Sequence, residues 1–530
     1  MQRFSSMTVQ ARNVKRDLAT ITILLLFMIA LVNTVVYICS IWGGTFKLFV
    51  DNSIRKTVII FQSPPRQIII PLNCSIRNQT QSCPSNYPKI FQTKDRRIPS
   101  SFQRKCPEYF RWIREDLRPW NSTGISREMV ERANQTANFR LIIVDKKLYI
   151  EKYRGTFQTR DVYTIWGILQ LLRRYPGGLP DLELMFHCGD LPVIRSRVYS
   201  APNSLAPPPL FAYSGRKSTL DIVFPDWSFW GWEEINIKPW TSLLTELKEG
   251  NNRTKWIDRI PYAYWKGNAF SGSKSRVDLL SCNVSDKQDW NARIYNLNWT
   301  REVKQGFKQS DLASQCTHRY KIYIEGNAWS VSEKYILACD SMTLFVNSKY
   351  YDFFTRYLQP MQHFWPIRDD QKCKSIKFAV DWGNFYKQKA QEIGKAASKF
   401  IQEELKMDFI YDYMFHLLNE YAKLLKFKPK VPDGAVEVCS ETMACGAKGL
   451  RKKFMMETLV KGPSVTNPCT LPPYDSKVLD SFERKKIDAV RRVHNWEDKH
   501  PGSFNLSSSY SNWIHISNNS QLMLVQISCD

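Results

Sequence analysis

Two stretches of the chain bring small, hydroxylated and cationic residues to the end of a strand-like run. In Tyr320 to Asn347, YKIYIEGNAWSVSEKYILACDSMTLFVN, the apolar run closes at Glu325-Gly326, a short loop carries Ser330 and Ser332, and Lys334 falls in the first turn of a helical pattern. Free backbone N–H groups and the positive end of a helix dipole meet at such a turn, which suits an anion of diphosphate size. Lys334 and the serine hydroxyls would add charge-assisted donors. The plainer reading is a β–α turn with a serine cap. Pro261 to Cys282, PYAYWKGNAFSGSKSRVDLLSC, repeats the layout, with Lys266-Gly267 after a strand and Arg276 at a helix start. Two cationic turns in one lobe would enclose a nucleotide diphosphate from two sides, or would be no more than a solvated Lys/Arg pair.

A carboxylate is needed opposite such a site if a hydroxyl is to be deprotonated. The run Asp181 to Cys188, DLELMFHC, leads into Gly189-Asp190-Leu191-Pro192, which places Asp190 at a strand's carboxyl end, where open α/β sheets hold their ligands. His187 is the competing base, although strand alternation turns it to the other face, and Asp190 as a turn cap is the bland alternative. Asp221 to Trp240 gathers Trp227, Phe229, Trp230, Trp232 and Trp240 around Asp226, Glu233 and Glu234. Aromatic faces beside carboxylates suit sugar stacking, and equally suit a core. D-x-D, H-E-x-x-H, G-x-S-x-G and P-loop patterns are all absent from the chain, so no metal site is expected and zinc proteases, α/β-hydrolases and P-loop kinases fall away.

The elements that must position these residues alternate. Two β-rich runs over 139–153 break at Asp145-Lys146-Lys147, and a helix over 161–175 ends at Pro176-Gly177-Gly178. Strands follow near 181–188, 221–224, 263–267, 320–325 and 343–347, with helices at 276–282, 331–339, 386–404 and 407–427. Alternation of this kind predicts parallel α/β layers. The expected divisions are a tail (1–17), a membrane anchor (18–42), an irregular proline-rich stem (43–105), a first lobe (106–260), a second lobe (261–428) and a loop-like, cysteine-containing extension (429–530).

With 43% hydrophobic residues and 24% charged, the 530-residue chain can bury a sizeable core. Its net charge of +25 favours anionic partners. Leu18 to Trp42 is 25 residues without a charge, long enough to span a bilayer, and Arg12, Lys15 and Arg16 precede it. The rest of the chain is then placed in a lumen, which removes nucleic acid as a partner. Twelve of the 13 cysteines follow the anchor, as an oxidising compartment allows. Cys74/Cys83 and Cys439/Cys445 are plausible local pairs, and Cys188 and Cys339 are either paired or buried thiols. Sequons at Asn73, Asn78, Asn121, Asn134, Asn252, Asn283, Asn298, Asn505 and Asn518 would be surface positions if used. No KDEL-like signal closes the chain, so a single-pass Golgi membrane protein with a lumenal body is expected.

DLELMFHCGDLP, DIVFPDWSFWGWEEINIKPW, PYAYWKGN with Arg276, HRYKIYIEGNAWSVSEKYILACDS and YYDFFTRYLQPMQHFWPI occur in the order found in the Rumi-type protein O-glucosyltransferases, glycosyltransferase family ninety, and the chain resembles their plant, membrane-anchored form over about 109–429. The resemblance implies a GT-B-like fold of two Rossmann-like lobes with a cleft between them. It also implies metal-independent, inverting transfer of glucose or xylose from a UDP-sugar co-substrate to a protein or glycan hydroxyl, with no other cofactor. The family's catalytic aspartate falls on Asp190, and its UDP-contacting residues fall on Lys266, Gly267, Arg276, Gly326, Ser330, Ser332 and Lys334. Trp227, Phe229, Trp230 and Trp232 are the candidates for stacking on the sugar or acceptor. Ser332 and Glu325 stand where animal members carry arginine. A hydrolase pairing Asp190 with Asp226 or Glu233, and an inactive carbohydrate binder built on the aromatic cluster, are the rival readings.

Overall fold

The computed structural model describes residues 45–50, 57–62, 69–74, 83, 104–201 and 205–500. The chain divides into two units, 1–69 and 70–530. In the first, Thr45–Val50 and Thr57–Gln62 pair as antiparallel strands, where the sequence suggested an irregular stem. The expected anchor at 18–42 lies outside the described residues. Among those described, no helix is long and apolar enough to cross a membrane.

The second unit is built on two sheets. The first contains β1 (Phe139–Val144), β2 (Lys147–Lys152), β3 (Leu182–Phe186), β4 (Leu210–Ala212) and β5 (Ile222–Val223), with helix α1 (Arg160–Arg174) between β2 and β3. Asp145 and Lys146 both adopt positive φ, 49° and 67°, the left-handed pair that closes a two-residue hairpin. β2 therefore returns antiparallel to β1, β1 also runs antiparallel to β3, and only β3, β4 and β5 are mutually parallel. This corrects the expectation of purely parallel layers. Every residue of β3 is buried, as a central strand covered on both faces requires.

After helix α2 (Trp240–Asn252) the second sheet begins. It contains β6 (Ile260–Gly267), β7 (Ala292–Asn296), β8 (His318–Tyr323), β9 (Met342–Val346) and β10 (Trp365–Ile367), in the spatial order β7-β6-β8-β9-β10. All neighbours are parallel. Helix α3 (Lys274–Leu279) lies in the crossover after β6, and α4 (Ser332–Leu337) in the one after β8. Each sheet has its own buried apolar cluster, one around Phe186, Phe211 and Tyr413, the other around Trp265, Ile322, Leu344 and Trp365. Helices α5 (Lys372–Phe385), α6 (Lys387–Glu404) and α7 (Met407–Leu424) follow.

The region beyond residue 429 is not loop-like. β11 (Val436–Val438) adds an antiparallel strand to the edge of the first sheet beside β2. Helix α8 (Ser476–Lys499) lies across both bodies, with Phe482 5.7 Å from Trp112 and 5.8 Å from Tyr357, and Trp496 6.3 Å from Trp365 of the second core. Only Ala489 and Val493 of this helix are fully buried, so its apolar stripe is too thin to announce itself in the sequence.

The disulfides overturn the local pairs. Cys74 joins Cys445, Cys83 joins Cys439 and Cys106 joins Cys469, at sequence separations of 371, 356 and 363. Cys282–Cys373 and Cys316–Cys339 complete the set among the described residues, and Cys188 is a buried free thiol. Of the sequons, Asn73, Asn121, Asn134, Asn252 and Asn298 are exposed. Asn283 is half-buried and accepts the Ile294 N–H at 2.9 Å. Asn78, Asn505 and Asn518 lie outside the described residues.

Candidate active site

The two turns singled out in the sequence meet. Gly267 ends β6, Gly326 follows β8, and the Ser273 N–H donates to the Gly326 carbonyl at 3.0 Å. Gly272 has φ +139°, and a Cβ there would lie 2.9 Å from the Gly326 carbonyl carbon, so this approach needs glycine. Arg276 fixes the contact. Its Nε donates to the Glu325 carbonyl at 2.9 Å, Nη1 to Asn268 and Ser271 carbonyls at 3.4 and 3.3 Å, and Nη2 to the Ile324 carbonyl at 3.3 Å and to Ser330 Oγ at 3.0 Å. The guanidinium, expected to face a diphosphate, is 9% exposed and instead joins one turn to the other. Burial lowers its pKa from the usual arginine value. Ser330 and Ser332 share a hydroxyl–hydroxyl hydrogen bond of 2.8 Å at the mouth of the second turn. Lys266 is half-buried on β6, paired through its backbone beside Tyr295 of β7, and its side chain forms no hydrogen bond or ion pair with any described residue, which leaves its ammonium available.

Lys334 is placed differently from the sequence expectation. Its Nζ lies 2.9 Å from Asp226 Oδ2 with the two side chains 1% and 0% exposed, and it sits 4.6 Å from the Phe229 ring centroid. Burial works against its charge, but Asp226 outweighs that, and the pKa lies above the ordinary lysine value. The ammonium is therefore turned into the seam between the two bodies, away from any ligand surface.

Asp190 lies four residues beyond β3 with its side chain 35% exposed. Oδ1 accepts from Arg160 Nη1 at 2.7 Å, and Oδ2 faces Asn327 Nδ2, on the turn after β8, at 3.5 Å. The second body thus reaches to within a side chain of the carboxylate. Arg160 opens α1, is 6% exposed, and also donates to the Cys188 carbonyl at 3.1 Å. The sequence reading missed it. A charged residue at the start of an otherwise apolar helix face was the available signal. His187 has its Nδ1 2.9 Å from the Thr136 carbonyl, and a Cβ on Gly189 would fall 2.3 Å from its Nε2. Burial lowers its pKa from the usual histidine value, and the ring is held in its own loop by the Thr136 carbonyl.

The aromatic cluster is interior. Trp227 is 1% exposed, and Phe229 and Trp230 are fully buried, so stacking on a sugar is excluded for these three. Trp232 is half-buried and donates to Gln158 Oε1 at 2.8 Å. The hydrolase pairing loses both partners, because Asp226 is held by Lys334 and Glu233 by Arg451 at 2.8 Å and by the Tyr163 hydroxyl at 3.0 Å. The carbohydrate-binder reading loses its platform. Among the described residues the one grouping with metal-ligand chemistry is Cys106, His416 and Cys469, and its two sulfurs are joined to each other.

Strand-end aspartate, paired turns and all but the last two residues of the C-terminal helix lie within residues 101–497, the span matched by the model of glycosyl transferase family 90. The chain belongs to this family. Similar proteins are an O-glucosyltransferase rumi homolog of Aedes aegypti, 27% identical over 63% of this chain and 83% of its own length, and protein O-glucosyltransferase 1 of Homo sapiens, 27% identical over 61% and 81%. O-glucosyltransferase rumi of Drosophila melanogaster is 24% identical over 63% and 81%. A family 90 glycosyltransferase is thus the coarse description of the protein, and both mixed and parallel sheets are compatible with a Rossmann-like transferase fold.

Proposed function

We propose that this glycosyltransferase is inverting and metal-independent, and that it moves glucose or xylose from a UDP-sugar to a hydroxyl of a protein or glycan acceptor. The two sheets are read as the lobes of a GT-B arrangement with the cleft between Asp190 and the paired turns. The enzyme is placed in the Golgi lumen, tethered by the apolar segment at 18–42. The reading rests above all on one observation: a partly exposed carboxylate at a strand's carboxyl end, within 3.5 Å of the loop that follows β8.

In the reaction the acceptor O–H gives its proton to Asp190, its oxygen forms the new bond to the anomeric carbon, and the bond from that carbon to the diphosphate oxygen breaks, its electron pair leaving with UDP. Attack and departure on opposite faces invert the anomeric centre. Charge developing on UDP is met by the Lys266 ammonium, the backbone N–H groups of the two turns and the Ser330 and Ser332 hydroxyls, donors fixed before the reaction begins. Gly267 and Gly326 let the turn backbones approach the diphosphate, and Arg276 keeps them in place. The names of the relatives favour glucose and a protein acceptor.

Incubating the purified protein with a panel of UDP-sugars, and following UDP release with and without glycan and protein acceptors, tests the donor and the activity together. Asp190→Asn should bind UDP as the parent does and lose transfer by about 10²-fold or more, as expected for a missing general base. Full turnover by that variant overturns the assignment.

A further inference from the structure

Asp190 is not held by its own loop. Its Oδ1 is joined to Arg160 on α1, whose guanidinium carbon lies 4.4 Å over the Trp227 ring and 5.1 Å from that of Phe157. Trp227 is in turn fixed by edge contacts with Tyr213 and Trp232, each at 5.0 Å, and with Trp329 of the second body at 6.2 Å. The buried aromatic cluster is thus a platform under a guanidinium, and the guanidinium grips one oxygen of the carboxylate.

We infer that Arg160 is the positioning residue for the acceptor's base: stacked on Trp227, it anchors Asp190 Oδ1 so that Oδ2 alone is presented toward the cleft to take the proton. This rests on the transfer reading above. A planar cation on an aromatic face keeps a fixed direction, and a guanidinium holds carboxylates along defined axes in a way an ammonium does not. One oxygen is thereby occupied and the other is left with a single long contact to Asn327, which an acceptor hydroxyl can replace.

The other charged or titratable groups facing this pair are few. His187 and Arg276 act on Asp190 at longer range, and Cys188 and Tyr213, with Asp161 and Lys152 behind them, face Arg160. Arg276 is bound to turn carbonyls, and among the described residues Arg160 is the one cation in an ion pair with the carboxylate.

Two variants separate charge from geometry. Arg160→Met removes both and Arg160→Lys keeps only the charge. Each is measured for kcat and KM of UDP-sugar, for UDP affinity by calorimetry, and for the direction of the Asp190 carboxylate in crystals of the variant. In Arg160→Met the carboxylate should turn out of its present direction, and kcat should fall about 10²-fold with donor KM and UDP affinity within twofold of the parent. In Arg160→Lys, which keeps the charge without the planar fork, kcat should still fall about tenfold with donor KM unchanged. If the methionine variant does not fold, the lysine variant carries the test alone through that kcat-against-KM split. An unmoved carboxylate in Arg160→Met, or parental kcat in Arg160→Lys, overturns the proposal. A parent that transfers no sugar defeats the transfer reading, whereas the carboxylate's direction judges the grip of Arg160 regardless of turnover.

Discussion

Replacing Asp226 by Asn should destabilise the protein far more than it disturbs ligand binding. The substitution leaves the Lys334 ammonium, 1% exposed, without the carboxylate now 2.9 Å away. Breaking a fully buried pair by removing one partner costs about 3–5 kcal/mol, because the remaining charge stays desolvated. Two features place the expected value at the lower end, about 3 kcal/mol. Lys334 keeps the Val331 carbonyl at 3.3 Å and ring faces at 4.6 and 4.9 Å. Nearby Asp352, held well above the usual carboxylate pKa by burial and by Asp226, would ionise more readily once Asp226 is neutral and take over part of the pairing. Adding Asp352→Asn removes that rescue and should carry the loss toward about 5 kcal/mol. Urea unfolding followed by tryptophan fluorescence gives the stabilities, and calorimetric titration with UDP, below the unfolding midpoint, gives the affinity. Lys334→Met with Asp226→Leu should recover much of what either single change loses, since an apolar pair of similar volume often replaces a buried ion pair at little cost. A loss below about 1 kcal/mol for Asp226→Asn, or a stable Lys334→Met that no longer binds UDP, would refute this and return Lys334 to the ligand.

The other predictions concern protonation and covalent structure. Burial pushes the Glu333 carboxyl up to about 7; a raised carboxyl contributes stability that is fully present below its unfolded pKa and is lost as pH rises through the folded value. Glu333→Gln should therefore be close to neutral at pH 4.5 and gain on the parent between there and pH 7, by about 3 kcal/mol, as read from unfolding midpoints across that range; a pH-independent difference would contradict it. Peptide mapping without reduction should recover Cys74 with Cys445 and Cys83 with Cys439, and a Cys74–Cys83 peptide would disprove the pairing. A lone loop of this length makes a cross-link worth about 6 kcal/mol in the chain-entropy account, but with Cys83–Cys439 in place the loop that Cys106–Cys469 closes shrinks to roughly fifty residues and about 4 kcal/mol, so a Cys106→Ala/Cys469→Ala variant should still unfold at markedly lower urea than the parent.

What could be read in advance follows the range of the interaction. Asp190 at a strand end, the two Gly-containing turns and the limits of the helices at 160–174, 387–404 and 407–424 depend on neighbours within a few residues, and the periodic pattern carried them, while the helices at 240–252, 372–385 and 476–499 went unread. Arg160 and Asp190 are 30 residues apart, and Lys334 and Asp226 are 108. A lysine beside small residues and serines looks the same in sequence whether its counter-ion is a phosphate or a distant carboxylate. The antiparallel start of the first sheet was encoded in Asp145-Lys146, since two residues between β-rich runs leave room only for a hairpin. The aromatic run was undecidable locally, because stacking on sugar and filling a core call for the same residue types.

The three cross-links that tie residues 74, 83 and 106 to 445, 439 and 469 also set a timetable for biosynthesis. In the oxidising lumen proposed above, the early thiols would arrive while their partners are still hundreds of codons from being translated, and their first available neighbours would be one another. Closure must wait for nearly the whole polypeptide, so maturation becomes a late event, sensitive to disulfide isomerases and to any premature stop that removes the final ninety or so residues even though both sheets would already have been made.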